Sequence, residues 1–378
     1  MEMYRRQIEE RALYKEQFQA QERSSRQPVF TQLSSHHAED SDAAWSPDGK
    51  WIAFTSSRSG NYDIWLKPAA GGEAVQLTKD PGWDRHAVWS PDGTELAFTS
   101  SRRTSTQGEN PSIWNRVWTK LPFTSGGTEY WGWGTPNIWI ISANGEELRQ
   151  VTTDEDEVVR VPSSIISWSP DGEKIAFAAK KGGHWNIWTL PATGGPATQL
   201  TFSKDSVYDL YPSWSPDGKE IAFSSGTHQG GTRDIYIVPA TGGMPRRAST
   251  YPIPSASGGT PRRVTTHPQD DWGPSWSPDG RWLAFASKRS SNNRNGDIWI
   301  IAAAGGTPIQ LTHTPEHTDF MPRWSPDGKR MTFISGSESM LAFNIWIADL
   351  SEMEVLNQVA GRAGVVNQII DTDLQREE

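Results

Sequence analysis

The pentapeptide Trp45-Ser46-Pro47-Asp48-Gly49 decides the architecture of this chain, because it returns five more times. The later copies begin at Trp89, Trp168, Trp214, Trp276 and Trp324. Successive copies are 44, 79, 46, 62 and 48 residues apart, so the basic period is in the mid-forties and two intervals carry insertions. A period of that length is typical of repeat proteins, in which each repeat is one supersecondary unit.

The residues around each copy predict four short strands. Pro47-Asp48-Gly49 is a turn, since glycine tolerates positive φ and aspartate bonds the local backbone. The second strands are apolar at nearly every position, at Ile52-Ala53-Phe54, Leu96-Ala97-Phe98, Ile175-Ala176-Phe177, Ile221-Ala222-Phe223, Leu283-Ala284-Phe285 and Met331-Thr332-Phe333. Such runs indicate sheets covered on both faces. The predicted fold is all-β, a six-bladed β-propeller of four-stranded antiparallel blades.

The repeats also predict the boundaries of the propeller, at residues 29–350. The segment from Val29 to Leu33 is similar to the fourth-strand segment Gln76-Leu77-Thr78, so we expect residues 29–34 to complete blade six and close the ring. Insertions at about 102–136 and 244–260 account for the two long intervals. We predict a helical arm over 1–28 and an amphipathic C-terminal helix over 351–378, where apolar residues recur at helical spacing.

Composition narrows the function classes. The net charge of −9 argues against a nucleic-acid-binding domain, which would show a basic footprint, and favours a basic partner. There is no cysteine among the 378 residues, so neither disulfides nor thiolate metal sites are available. The 20 tryptophans supply large apolar area for a core. No run of the sequence approaches the length of a membrane span.

A four-stranded meander separates its connections between two faces. The links into the first strand and between the second and third strands emerge on what we call the top face, and the Pro-Asp-Gly turns emerge on the bottom face. Five repeats carry an aspartate five residues before their tryptophan, at Asp40, Asp84, Asp209, Asp271 and Asp319. Repeat symmetry predicts a ring of partner-binding carboxylates at the top entrance of the channel. The alternative is that each carboxylate bonds its own loop.

Tryptophans on the top face are further candidates for partner binding. They are Trp83 and Trp272, together with Trp114, Trp118, Trp131 and Trp133 in the first insertion. Aromatic side chains beside carboxylates suit peptide or sugar recognition. Alternatively, the insertion is a minidomain that buries its own aromatic residues.

All eight histidines map to top-face links. Imidazoles and carboxylates at a channel mouth are suitable metal ligands, which makes His37, His86, His267 and His317 candidates. Nothing in the sequence brings these side chains into one coordination sphere. We therefore predict no metal and no other cofactor.

The recurring order of Trp-Ser-Pro-Asp-Gly, apolar-Ala-Phe, Asp/Asn-Ile-Trp/Tyr, Gly-Gly and Gln-Leu-Thr resembles the TolB-type propeller repeat, over roughly Val29 to Leu350. The resemblance implies a propeller whose family often acts as an extracytoplasmic protein-binding platform. Similar repeats form the propeller of prolyl oligopeptidase-like enzymes, whose hydrolase chemistry depends on a Gly-x-Ser-x-Gly elbow in a separate domain. That pentapeptide is absent from this sequence.

The leading hypothesis is a non-enzymatic scaffold that binds a protein or peptide through the top face, and the net charge favours a basic partner. One alternative is a lyase or hydrolase acting on carbohydrate with top-face histidines and carboxylates. Another is a structural subunit anchored in a larger assembly by its terminal helices. The N-terminal residues carry no signal-like apolar segment, so the chain as written is expected in the cytoplasm, and in the periplasm if a signal was removed. The sequence leaves the oligomeric state open.

Overall fold

A computed structural model describes residues 28–34, 38–102, 136–152, 166–204, 207–227, 232–242, 261–290, 295–314, 317–337, 342–351 and 353. The chain divides into two compact units, one made of residues 31–347 and the other of residues 1–30 and 348–378. Nearly all described residues belong to the first unit. The predicted terminal helices over 1–28 and 351–378 lie almost wholly outside the described residues, as do both insertions, and the described residues contain only strands and turns.

The described elements are twenty-four strands. The first twelve are β1 (Val29–Gln32), β2 (Asp40–Trp45), β3 (Trp51–Ser56), β4 (Asp63–Pro68), β5 (Val75–Gln76), β6 (Asp84–Trp89), β7 (Glu95–Ser100), β8 (Asn137–Ser142), β9 (Leu148–Gln150), β10 (Ser167–Trp168), β11 (Lys174–Lys181) and β12 (His184–Pro191). The others are β13 (Thr198–Gln199), β14 (Val207–Trp214), β15 (Glu220–Thr227), β16 (Arg233–Pro239), β17 (Arg262–Arg263), β18 (Asp271–Trp276), β19 (Trp282–Ser287), β20 (Asp297–Ala302), β21 (Ile309–Gln310), β22 (Thr318–Trp324), β23 (Arg330–Ser337) and β24 (Ala342–Asp349).

The strands form an all-β propeller of four-stranded antiparallel blades. Four sheets have four strands each, in the orders β2-β3-β4-β5, β6-β7-β8-β9, β18-β19-β20-β21 and β1-β24-β23-β22. The fifth sheet has eight strands and differs from the expectation of separate four-stranded sheets. It contains two antiparallel repeats, β10–β13 and β14–β17, which are joined by one parallel bridge between Trp185 and Tyr208.

The first strands of successive repeats surround a common channel. In order, β2, β6, β10, β14, β18 and β22 each contact the next, and β22 contacts β2. Closure also involves the N-terminal segment, because the amides of Leu33 and Ser34 donate to the carbonyl of Ile345 at 2.8 and 3.4 Å. The Ser34 hydroxyl accepts a hydrogen bond from the Ile345 amide at 3.1 Å. Threonines Thr78, Thr152, Thr201, Thr265 and Thr312 make the same bond in the other repeats.

Each pentapeptide is a hairpin turn of one geometry. In the first copy, the Ser46 hydroxyl donates to Asp48 Oδ1 at 2.6 Å and accepts from the Trp51 amide at 2.9 Å. The serine-to-aspartate bond is present in all six copies, and each turn glycine has φ between 67° and 75°. A left-handed conformation of this kind is one that glycine adopts without steric cost. The role of the pentapeptide is therefore structural, since it forms the hairpin turn between the first and second strands on the bottom face.

The core lies between neighbouring repeats. Ile52, Ala53 and Phe54 of β3 are 0–1% exposed, as are the equivalent residues of β7. Residues Ala53 and Ile64 of the first repeat pack in one cluster with Leu96 and Phe98 of the second. Burial on both faces explains why these strands are apolar at every position, since neighbouring residues point to opposite sides of a sheet.

Candidate functional site

The five aspartates expected to form a partner-binding ring are buried. Asp40, Asp84, Asp271 and Asp319 are 0% exposed and Asp209 is 1% exposed. Each begins or lies near the top-face end of a first strand, as the sequence predicts. Their carboxylates, however, bond within their own repeats. This geometry agrees with the alternative in which each carboxylate bonds its own loop, and partner binding by these five residues stays a prediction.

Two kinds of partner hold these carboxylates. In three repeats an arginine pairs with the aspartate, as Arg58 does with Asp40 at 2.9 Å. Arg102 and Arg289 pair in the same way with Asp84 at 2.5 Å and Asp271 at 2.6 Å. The Arg58 guanidinium also lies 5.2 Å from the ring centroid of Phe54 and 5.0 Å from that of Trp65. Equivalent contacts occur at Arg102 and Arg289.

The remaining two aspartates have hydroxyl partners. Ser225 and Ser203 donate to Asp209 at 2.6 and 2.8 Å, and Thr314 donates to Asp319 at 2.7 Å. Burial raises the pKa of both carboxyls, because these hydrogen bonds only partly offset the loss of hydration. Burial also raises the pKa of Asp84, to about 6, against the opposing effect of the Arg102 charge. The sequence does contain a signal for the aspartates that pair with arginine. In those three repeats the second strand ends in a serine and an arginine follows two residues later, at Ser56 and Arg58, Ser100 and Arg102, and Ser287 and Arg289.

The residues directly before four of the buried aspartates are only half-buried, whereas Thr318, directly before Asp319, is buried. We define the entrance ring as Glu39, Trp83, Tyr208 and Asp270, and all four are intermediate in exposure. Adjacent strand residues point to opposite sides, which explains why a one-residue shift changes burial. The ring therefore combines two carboxylates with two aromatic side chains. Trp83 was a predicted partner-binding residue, whereas sequence reasoning missed the other three.

Local contacts hold parts of the entrance ring in place. The Tyr62 hydroxyl donates to Glu39, and the Arg85 guanidinium lies 3.7 Å from the centroid of the Tyr62 ring. The Arg233 amide donates to Asp270 Oδ1 at 3.1 Å. The Arg85 guanidinium also forms an ion pair with Glu39 at 4.0 Å. A carboxylate accepts about four hydrogen bonds, so both acidic members retain acceptor capacity for a partner with respect to the described residues.

A second ring lies inside the channel, two residues after the buried aspartates. Its members are Asp42, His86, Tyr211, Gly273 and Met321, with φ of 56°, 57°, 59°, 65° and 54°. At this point the first strand of each of these five repeats carries a β-bulge relative to its second strand. Left-handed non-glycine residues store strain and cluster at functional sites. The side chains also differ in chemistry from repeat to repeat.

Two members of this channel ring form a polar pair. His86 Nε2 lies 3.7 Å from Asp42 Oδ1, and His86 Nδ1 lies 2.9 Å from the Thr99 hydroxyl oxygen. Burial lowers the pKa of His86, although the Asp42 charge opposes this. Burial alone would raise the pKa of Asp42. At the acidic pH where His86 is protonated, its charge, the Arg85 charge and hydrogen bonds from Ser41 and Thr55 together outweigh burial, and the pKa of Asp42 is lowered. The pair therefore consists of an ionised carboxylate and a largely neutral imidazole near neutral pH.

The other predicted site residues are dispersed or not described. Trp272 is half-buried, and Lys288 Nζ lies 5.7 Å from the centroid of its ring. His267 and His317 lie on partly exposed links, and the described part of the chain contains no group of three or more residues able to hold a metal ion. Trp114, Trp118, Trp131, Trp133 and His37 lie outside the described residues.

The bottom end of the channel holds a cavity of about 290 Å³. All six first strands contribute to its wall, through Trp45, Trp89, Trp168, Trp276 and Trp324 among others. The sequence predicts that the turns on the bottom face are similar in all repeats. It does not indicate that the repeated tryptophans line a cavity there. The residue before the tryptophan is small in five of the six repeats, which leaves space along the channel axis.

The comparisons with known proteins agree with this architecture. The model of the TolB beta propeller domain matches residues 24–115 and 149–253, just over half of the chain. The chain belongs to this family. No curated protein matches the sequence of this TolB-type propeller. Among the described residues, no helix is long and apolar enough to cross a membrane.

Solved structures share the fold of this TolB-type propeller at low identity. A TolB from Agrobacterium tumefaciens is 22% identical, with a TM-score of 0.52 over 74% of this chain and 82% of its own. An oligogalacturonate lyase from Vibrio parahaemolyticus is 13% identical, with a TM-score of 0.51 over 86% and 94%. A gluconolactonase from Xanthomonas campestris is 12% identical, with a TM-score of 0.54 over 85% and 89%. At these identities the likeness concerns the fold alone.

Proposed function

We propose that this chain is a six-bladed TolB-type propeller that binds a protein or peptide segment at the top end of its channel. In this proposal each of the six repeats is one blade, and the eight-stranded sheet counts as two. The entrance ring makes the first contacts. The protein acts by binding and not by catalysis.

The composition of the entrance ring carries the proposal. Glu39 and Asp270 supply negative charge, and Trp83 and Tyr208 supply half-buried aromatic surface. Tryptophan and tyrosine dominate binding energy in protein interfaces, and carboxylates select basic partners. A segment in which lysine or arginine stands next to an aromatic or aliphatic residue matches this arrangement. The protein-binding family that the repeats resemble is consistent with such a partner.

A peptide library selected on the full-length protein tests the proposal. We expect the selected peptides to be enriched in lysine and arginine beside an apolar residue, and we expect binding to weaken with added salt. Trp83→Ala should weaken the best peptide about tenfold or more, as measured by fluorescence anisotropy. Asp270→Asn should reduce the preference for basic residues.

Trp51→Ala is the matched control. Trp51 is 38% exposed and begins β3, at the bottom-face end of its strand. We expect this variant to bind the selected peptides as the wild type does. Equal affinity of the wild type and Trp83→Ala, or selected peptides with no charge preference, would contradict the proposal.

A second candidate function is that of an enzyme acting on carbohydrate. One local observation favours it, namely the His86 and Asp42 pair at strained positions inside the channel. An imidazole next to a carboxylate is a common acid–base arrangement. The lyase and the lactonase that share the fold act on sugar derivatives according to their names. Turnover of uronate oligosaccharides or sugar lactones that is lost in His86→Ala would establish this function, and no turnover on such a panel would reject it.

A further inference from the structure

The position directly before each repeated tryptophan forms a ring in the wall of the bottom cavity. Its members are Ala44, Val88, Ser167, Ser213, Ser275 and Arg323, and all of them line the cavity. Five are small and neutral, and Arg323 alone is charged. Because five repeats build the same strand with a small residue, the fold does not require an arginine at this position.

The guanidinium of Arg323 lacks acceptors within the described part of the chain. No hydrogen bond or ion pair of this group occurs among the described residues. Burial lowers the pKa of Arg323 to about 10, with Asp42 opposing the shift, so the group remains charged at neutral pH. Arg323 is half-buried, and its guanidinium carries five N–H donors in a residue that lines the cavity. None of its nitrogens is among the buried, unpartnered polar atoms of the described residues, so these donors stay accessible to a ligand. Oxygen atoms of a bound anion would satisfy them.

The nearest carboxylate is already engaged elsewhere. Asp42 lines a small recess together with His86 and Arg323. It accepts a hydrogen bond from the Ser41 hydroxyl at 3.0 Å and lies 3.7 Å from His86. Its distance from Arg323 exceeds that of an ion pair, since none is formed between them within the described residues. The positive charge of Arg323 is thus moderated by Asp42 but not bonded to it.

Aromatic walls surround this charge and are held in place. Trp168 Nε1 donates to the Val88 carbonyl at 3.2 Å, and Trp276 Nε1 donates to the Ser213 carbonyl at 3.1 Å. The Arg330 guanidinium lies 4.6 Å from the centroid of the Trp45 ring. A cavity whose walls are fixed before binding loses little conformational entropy when a ligand enters. Flat apolar groups suit indole walls.

We propose that the bottom cavity binds a small organic carboxylate with a planar, apolar body. Arg323 binds the carboxylate, Ser213 and Ser275 lie in the same wall, and the indoles pack against the body. Arginine is well suited to this role because its planar fork matches a carboxylate. The volume of about 290 Å³ is near the lower limit for small-molecule pockets, which restricts the ligand to one ring or a comparable group.

Benzoate is the probe, and benzamide is its neutral isostere. Binding to the full-length protein is measured by isothermal titration calorimetry and by ligand-observed NMR, with inorganic phosphate as an anion that has no apolar body. We expect benzoate to bind at least about tenfold more tightly than benzamide or phosphate. Equal binding of benzoate and benzamide, or no binding of benzoate, would overturn the proposal.

Two variants test the assignment to this cavity. Arg323→Gln should weaken benzoate about tenfold or more, whereas Arg281→Gln, which alters an exposed ion pair with Asp279, should bind benzoate as the wild type does. Val88→Phe fills the cavity without changing its charge and should also abolish binding, so the test stands even if Arg323→Gln fails to fold. Unchanged affinity in a folded Arg323→Gln or Val88→Phe would place benzoate elsewhere and refute the proposal. Trp83→Ala should bind benzoate normally, because this site is independent of the entrance ring.

Discussion

Asp84 and Asp209 occupy the same place in their repeats but differ in what opposes their charge. Asp84 pairs with Arg102, whose side chain is 8% exposed, whereas Asp209 has only hydroxyl partners. Asp84→Asn leaves a buried guanidinium unpaired and should lower the free energy of unfolding by about 3–5 kcal/mol. Asp209→Asn replaces a carboxyl whose ionised form is disfavoured by burial, and should cost on the order of 1 kcal/mol or less. Urea unfolding at neutral pH compares the two, and equal losses would contradict this account.

The raised pKa of Asp209 also predicts a pH dependence. The folded protein holds this proton more tightly than the unfolded chain does, so the stabilising contribution is complete below the ordinary pKa of 3.8. That contribution is lost as the pH rises through the folded-state pKa. Between about pH 4 and neutrality, the wild type should therefore lose stability relative to Asp209→Asn. Urea midpoints of both proteins across this range provide the measurement, and parallel curves would show that Asp209 does not titrate as described.

At the scale of the element, the Ser-Pro-Asp-Gly hairpin depends on its serine. The Ser277 hydroxyl donates to Asp279 at 2.6 Å and accepts from the buried Trp282 amide at 2.9 Å. Ser277→Ala leaves that amide without its acceptor and should cost about 1–3 kcal/mol. In the solvent-facing turn after β8, Ser142 makes similar bonds to Asn144 and to the Glu147 amide. Ser142→Ala should cost less, since water replaces the lost bonds, and thermal unfolding distinguishes the two variants.

The sequence predicted the strands better than it predicted the site. The turn residues and the apolar-Ala-Phe runs indicated the elements because local backbone preference and two-sided burial act within a few residues. At the channel entrance, neighbouring residues of one strand differ in exposure. Asp40 is buried, whereas Glu39, one residue earlier, is half-buried. His86 and Tyr211 have a left-handed backbone conformation because each lies in a β-bulge, and a β-bulge arises from the pairing of two strands. Nothing in the local sequence pattern marks such a bulge when the residue is not glycine.

At the scale of the whole molecule, closure of the propeller depends on residues 31–34. Three hydrogen bonds join Leu33 and Ser34 to Ile345. Deletion of residues 1–34 removes these three hydrogen bonds and the pairing of β1 with β24, and should lower the free energy of unfolding by at least about 3 kcal/mol, at about 1 kcal/mol for each of the three bonds. Deletion of residues 1–27, which leaves these bonds intact, is the control and should have a much smaller effect. Equal effects of the two deletions on the urea midpoint would show that closure does not depend on this segment.

The left-handed bulges have a consequence for how propellers of this kind diversify. The bulge fixes the backbone of the first strand. The bulged position is occupied by aspartate, histidine, tyrosine, glycine or methionine, and the first and second strands pair in the same way in all five repeats. The side chain at each bulge can therefore be exchanged while the backbone stays the same. A single codon change at any of these positions can install a new acid, base or ring in the channel. New specificity can thus evolve one side chain at a time on an unchanged scaffold.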